Sequence, residues 1–142
     1  MDRLHDVARL LISSLVLAKD EGVKRIPTSH GLLDKAIQDS LQRFPAWARE
    51  QIHMADSRVG WRCVEMPEIL GWAQAAELTS APNPYYREME LTASPYVASV
   101  LLKRLGVDVA EARLLGEALL HSIEQSKQEL NEVTAVGGAV GY

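Results

Sequence analysis

Apolar residues recur at intervals of three and four along most of the chain, the spacing that lines one face of an α-helix. The first such run, residues 4–18, is also apolar on its other side. This predicts a helix that neighbours cover over most of its circumference. The clearest amphipathic run begins after residue 108, and no stretch alternates apolar and polar residues between hairpin turns. The pattern therefore predicts an all-α fold, a compact bundle of about seven to eight helices.

Polar caps and prolines mark where the predicted helices begin. Thr28 precedes a helix expected at about 29–41, and a proline opens the next one at 46–54. Ser94 stands before a proline, and Asp108 is followed by a glutamate three residues later, which are capping signals for two further helices. Thr28, Ser94 and Asp108 are therefore the predicted structural caps.

The length and composition are those of one folded domain. The chain has 142 residues, of which 47% are hydrophobic and 24% are charged, far from the polar composition of disordered chains. We predict a single helical domain over residues 1–133. Residues 134–142 (TAVGGAVGY) are rich in glycine and are predicted to form a flexible tail.

Two stretches of the sequence resemble each other, residues 15–37 and residues 71–102. Each has an alanine-containing helix end with an acidic residue, then a connection with an apolar residue and a threonine, then a serine before the next apolar helix. Such an echo is typical of a duplicated helical unit. It predicts two repeats, at about residues 5–60 and 66–130, related by a pseudo-twofold axis.

The first of these stretches resembles the N-terminal, double-repeat domain of Clp-family AAA+ unfoldases. Leu17 to Gly22 (LAKDEG) and Ile26 to Leu33 (IPTSHGLL) are similar to the helix end and the short helix start of that family's repeat. Val97 to Asp108 (VASVLLKRLGVD) is similar to a helix junction of the same family. The resemblance implies two four-helix repeats and a role in docking substrates or adaptors ahead of an unfoldase ring.

Composition and motifs argue against several kinds of chemistry. Nineteen acidic residues against fifteen basic ones give a net charge of −4, and the basic residues are scattered, so no nucleic-acid surface is predicted. The sequence lacks the G-x-x-x-x-G-K-[ST] loop that cradles nucleotide phosphates. With one cysteine, neither an internal disulfide nor a multi-thiolate metal site can form. We therefore predict no enzymatic activity, no cofactor and no metal.

Cys63 and the histidines are the remaining candidates for chemistry. Pairing of Cys63 with His53 or His121 would need a helper carboxylate such as Glu117, but a lone cysteine in a helical domain is typically a small buried hydrophobe. Glu117, His121 and Glu124 share one helix face. A solvated face with local charge pairs is the simpler interpretation, because a helical di-iron site needs Glu-x-x-His motifs on two helices.

The apolar run at residues 10–18 is too short to span a bilayer. Acidic residues stand on both sides of it, which argues against a signal peptide and favours a buried helix. The single cysteine favours a reducing, cytoplasmic setting. No membrane association is predicted.

Aromatic residues cluster in and beside the irregular centre of the sequence. Trp61, Tyr85 and Tyr86 offer large contact areas with few rotatable bonds, and Arg87 adds a donor that can hold a carboxylate of a partner. The alternative is that tryptophans belong to the core and the tyrosines fix the loop. These four residues are the predicted partner-binding site.

Taken together, these patterns predict a non-enzymatic protein-binding domain. Its partner would be a protein or peptide, and the resemblance to the Clp N-domain implies a substrate, an adaptor or an unfoldase subunit. The alternative is a small helical regulatory or inhibitor protein, of phage or bacterial type, that binds an unrelated target protein.

Overall fold

The computed structural model describes residues 2–21, 23–28, 31–58, 60–80 and 88–141, with side chains as far as residue 131. The helices and strands follow one another in a mixed order along the chain. They are α1 (Leu4–Ala18), β1 (Arg25–Pro27), α2 (Leu32–Ser40), a 3₁₀ turn (Leu41–Arg43), α3 (Ala46–Arg49), β2 (Met54–Ser57), β3 (Gly60–Cys63), α4 (Met66–Ala75), β4 (Glu88–Glu90), α5 (Pro95–Arg104) and α6 (Val109–Gly141).

The prediction of an all-α bundle of seven to eight helices is wrong. The described residues form six α-helices, 61% helical in total, and two antiparallel two-stranded sheets, so the fold is mixed α/β. Each strand has only three or four residues, and β2 and β3 are exposed over nearly their whole length. Alternation is visible only when one face of a strand is buried over several residues, which is why the sequence carries no strand signal.

The connections of the two stretches that predict helical repeats meet in the fold. β1 and β4 pair antiparallel, with Ile26 opposite Met89, and both of these side chains are buried. The two similar stretches of sequence therefore contribute one strand each to a single sheet. Their likeness reflects two helix ends that both lead into a strand.

Helix α1 lies in the middle of the fold, as its apolar circumference predicts. It contacts α4, α5 and α6, and its central residues are almost completely buried. Helix α2 packs on α6 and on β3. The core is therefore built around α1 and the first half of α6.

Helices α1 and α6 approach each other closely at Gly116. A Cβ atom built on Gly116 would lie 2.6 Å from the carbonyl carbon of Ser14 and 2.7 Å from the Cβ of Ala18. Glycine is thus required here by the packing of the two helices. The crossing places the following turns of α6 beside the end of α1 and the strand that comes after it.

Several predicted helix boundaries shift. The helix expected at 46–54 ends at Arg49, and Met54 already belongs to β2. Helix α2 begins at Leu32, with Gly31 at its N-cap in the left-handed conformation (φ 65°) that favours glycine. Helix α6 continues through residues 134–141, where the composition predicts a flexible tail.

Polar side chains tie α2 to its two neighbours. Asp34 accepts a hydrogen bond from the backbone N–H of Cys63 at 2.8 Å, which fixes the β2–β3 hairpin. Asp39 accepts hydrogen bonds from Ser122 of α6 and from Lys35, each at 2.8 Å. Burial raises the pKa of Asp39, but the two hydrogen bonds and the positive charge of Lys35 together outweigh it, so the pKa lies below its ordinary value.

Candidate protein-binding groove

A groove runs between β1 and α6, beyond the end of α1. We call it the β1–α6 groove; Val23 and residues 25–27 form one side, and residues 117–127 of α6 contribute the other. Its volume is about 380 Å³. It opens to solvent, so it is a surface groove and not an enclosed cavity.

The floor of the β1–α6 groove is aliphatic. Val23 is 36% exposed and Leu120 is half-buried, and beneath them lie the buried side chains of Ile26 and Ile123. An apolar side chain seated here would cover carbon atoms that now face water, which is favourable in proportion to the area covered.

The rim of the groove is charged. Arg25 pairs with Glu88 at 3.0 Å, and Glu117 pairs with Arg113 at 3.5 Å. Both pairs are largely exposed, so each contributes little to stability. Other charged groups line the groove without an ion pair among the described residues, and these are Asp20, Glu124 and Lys127.

Strand β1 is the outer strand of its sheet. The other side of β4 is already occupied, because the N–H of Ser80 donates to the carbonyl of Glu90 at 2.9 Å and the hydroxyl of Ser80 accepts from the N–H of Glu90 at 2.9 Å. Glu90 pairs with Arg25 of β1 on the ladder. Within the part of the chain that the structure describes, the sheet therefore has its open edge at β1.

The hydrogen-bond pattern shows which groups point outward from β1. The N–H of Leu91 donates to the carbonyl of Lys24 at 2.7 Å. Bonded and non-bonded pairs alternate along an antiparallel ladder, so Ile26 turns its backbone groups toward β4 and Arg25 turns its own away. The open edge therefore presents the N–H and C=O of Arg25 and the C=O of Pro27, which has no N–H to offer.

The residues predicted to bind a partner are only partly described. Trp61 lies in β3 opposite Asp56 and is 38% exposed, on the hairpin that packs against α2. It does not line the β1–α6 groove. Tyr85, Tyr86 and Arg87 lie outside the described residues, so their role stays a prediction.

The three predicted caps have different surroundings. The hydroxyl of Ser94 accepts from the N–H of Val97 at 3.2 Å, and Asp108 accepts from the N–H groups of residues 110 and 111 at 2.8 Å and 3.2 Å. The first turns of α5 and α6 thus receive side-chain caps. Thr28 is not the N-cap of α2; that position is held by Gly31, which makes no side-chain cap hydrogen bond.

The groups considered for chemistry do not form an activated pair. Cys63 is fully buried, and burial raises the pKa of its thiol to about 11. His53 is held by Glu65, whose carboxylate lies 2.7 Å from its Nδ1. His121 lines the groove on α6, away from this pair. Among the described residues, no group of three or more His, Cys, Asp or Glu is placed to hold a metal ion.

We expect Cys63 to resist alkylation while the protein is folded. The reactive species is the thiolate, which the raised pKa suppresses at neutral pH. Iodoacetamide labelling followed by mass spectrometry should show modification only when urea unfolds the chain. Labelling of the native protein at the rate of a free cysteine would contradict this geometry.

The same thiol should make the protein less stable at alkaline pH. The folded pKa of about 11 lies above the unfolded value of 9.0, so the stabilising contribution is full below pH 9.0 and is lost as the pH rises toward 11. The loss is up to about 3 kcal/mol for a difference of two pKa units. Urea unfolding across this range tests it, with Cys63→Ala as the control that lacks this contribution.

A second cavity of about 360 Å³ lies between α3 and the start of α6. Trp47 forms part of its wall, and the guanidinium of Arg3 lies 4.1 Å from the centre of the Trp47 ring. Asp108 also lines it, but this carboxylate already caps α6. This cavity adjoins no open strand edge among the described residues.

Reasoning from the sequence alone missed most of the groove. Glu117, His121 and Glu124 were expected to share a solvated helix face, and the structure places that face along the groove. Val23 stands outside any periodic run, so it has no detectable signal. Leu120 sits next to Leu119 but off the buried face of α6, and this extra apolar residue is the one available hint.

Comparison of the chain with protein-family models, with curated proteins and with solved structures gave no significant match. Within the part of the chain that the structure describes, no helix combines the length and the apolar character needed to cross a bilayer.

Proposed function

We propose that this protein is a non-enzymatic protein-binding domain that holds a segment of a partner protein in the β1–α6 groove. The observation that carries the proposal is the aliphatic floor at Val23 and Leu120 between charged walls. Protein interfaces combine an apolar anchoring centre with a polar rim in the same way. The partner's aliphatic side chain would occupy the floor, and its backbone would lie along the groove.

The chemistry-bearing side chains support a role without catalysis. Cys63 is buried and protonated at neutral pH, and His53 is bound to Glu65. A thiol nucleophile needs a lowered pKa and an adjacent base, and the environment of Cys63 acts in the opposite direction.

Docking of unfoldase substrates or adaptors is the specific form of this function that the Clp resemblance implies. The proposal here is made for protein segments in general, because it depends on the groove and not on paired helical repeats. A cytoplasmic setting, favoured by the single cysteine, belongs to the same proposal.

Selection of random peptides displayed on phage against the whole protein tests the proposal. Val23→Arg fills the groove from an exposed loop position, so we expect it to weaken binding of the selected peptides at least about tenfold, the loss of one well-placed anchor. Val97→Arg is the matched control, since Val97 is a similarly exposed valine (40%) on α5, away from the groove. Fluorescence anisotropy of the labelled peptides measures both.

Two results would overturn the groove as the binding site. One is that no peptide is enriched over the Val23→Arg protein used as bait. The other is that selected peptides bind both arginine variants equally but lose affinity when Tyr85 and Tyr86 are replaced with alanine, which would favour the aromatic site predicted at residues 85–87.

A further inference from the structure

The open edge of β1 and the β1–α6 groove are one continuous surface. Side chains at consecutive strand positions point to opposite faces, yet Arg25, Ile26 and Pro27 all line the groove. A groove that touches three consecutive residues of a strand borders the strand's edge. The outward N–H and C=O of Arg25 and the C=O of Pro27 pair with none of the described residues, so they face an occupant of the groove.

These backbone groups favour an extended occupant over a helical one. A helix satisfies its own backbone hydrogen bonds and would leave those of β1 unused, whereas an added strand pairs with them. The edge of β1 offers one N–H and two C=O groups, so it can accept more hydrogen bonds than it can donate. The occupant must supply backbone N–H groups at alternate residues, which excludes proline at those positions.

The charges along the groove favour a basic occupant. Asp20 and Glu124 are exposed carboxylates without an ion pair among the described residues, and Lys127 is the only lining cation in that state. Arg25 is already engaged by Glu88. The whole chain carries a net charge of −4. A lysine or arginine beside the aliphatic anchor would meet more opposite than like charge.

We propose that the groove binds an extended segment of a partner protein that adds to the edge of β1 as a third strand and carries an aliphatic residue next to a lysine or arginine. This inference rests on the proposed function, whose groove it uses. The backbone of the segment pairs with Arg25 and Pro27. Its aliphatic side chain covers Val23 and Leu120, and its basic side chain lies near Asp20 and Glu124.

Backbone methylation of a selected peptide tests the added strand. Peptides are first selected as above and shown to depend on Val23, and then each amide is N-methylated in turn. We expect losses of at least about fivefold at alternate residues, and little change between them, because only every second amide donates to β1. Equal sensitivity at successive amides, or none, would overturn strand addition while leaving peptide binding in the groove intact.

A pair of variants tests the same edge from the protein side. Arg25→Pro removes the outward N–H, which β4 does not use, and also the ion pair with Glu88; Arg25→Ala removes the ion pair alone. We expect Arg25→Pro to bind at least about threefold more weakly than Arg25→Ala. Circular dichroism checks that both variants fold. If Arg25→Pro does not fold, the methylation series alone decides whether the peptide adds as a strand. Equal affinities of two folded variants would overturn the proposed pairing.

The charge requirement has its own test. Replacing the lysine or arginine of a selected peptide with norleucine should weaken binding, and Glu124→Gln should reduce that difference. Glu129→Gln is the matched control, because Glu129 is an exposed glutamate of α6 outside the groove. Selected peptides without basic residues would overturn the charge assignment.

Concentration-dependent dimers of the protein alone that are lost in Val23→Arg would instead identify a second copy of this chain as the occupant.

Discussion

Replacing Gly116 with alanine is expected to lower the free energy of unfolding by about 3 kcal/mol, the upper range for overpacking in a tightly packed interior. The added methyl group would fall on the backbone carbonyl of Ser14 and near the Cβ of Ala18. Backbone cannot move aside as a flexible side chain can, so α1 and α6 must separate. Urea unfolding measures the loss as a lower midpoint with an unchanged slope.

Gly71 provides the matched control for this experiment. It also lies inside a helix, α4, but no atom of the described residues comes within 4 Å of the position that its Cβ would take. Gly71→Ala should therefore stabilise the protein by about 0.5 to 1 kcal/mol, because alanine favours helix over glycine. The two substitutions are chemically identical and should change the free energy of unfolding in opposite directions. A similar effect at both sites would contradict the close crossing of α1 and α6.

Truncating Ile12 to alanine is expected to cost about 3 kcal/mol or more, through lost apolar contact and the cavity left behind. Ile12 is 0% exposed, at the centre of a helix that contacts three others. Ile12→Val should cost only about 1 kcal/mol. Thermal and urea unfolding measure both variants, and the larger loss should lower the melting temperature by about 10 °C in a chain of this size.

An exposed valine separates the effect of burial from the effect of truncation. Val97→Ala should change the free energy of unfolding by less than about 0.5 kcal/mol, since Val97 is 40% exposed on α5. If Ile12→Ala were as mild as Val97→Ala, the central position of α1 would be contradicted.

The starts of α5 and α6 were predictable because their signals are local. Ser94 and Asp108 carry capping side chains within three residues of the groups they bind, and such short spacings are visible in a sequence. The position of α1 also follows from the sequence, because a helix with apolar residues on all sides needs neighbours on all sides. Contacts within one turn, and the need for burial, are properties that a sequence expresses directly.

The sheets were not predictable for the opposite reason. Arg25 of β1 and Glu88 of β4, whose side chains form an ion pair, are 63 positions apart. Three residues that contain a proline form no recognisable strand by themselves. The pairing depends on where α1 and α4 deliver the two segments. The echo between the two stretches was visible, but helix ends followed by connections suggest a repeat as readily as a strand pair.

The groove, too, was predictable only where its signal is local. The face of Glu117, His121 and Glu124 was identified on α6, yet its role depends on what lies opposite. Val23 and the edge of β1 lie opposite, and nothing near them in the sequence points to α6. A binding surface made of two distant segments emerges only when the fold brings them together.

The central position of α1 has a consequence for synthesis on the ribosome. About 90 residues separate the end of α1 at Ala18 from the start of α6 at Val109, and translation at about 5 to 20 residues per second takes several seconds to cover them. During that interval the apolar segment LLISSLVLA lacks the helix that covers it. This apolar segment therefore leaves the ribosome well before α6 can cover it, and we expect chaperones at the ribosome exit to contact α1 during that interval.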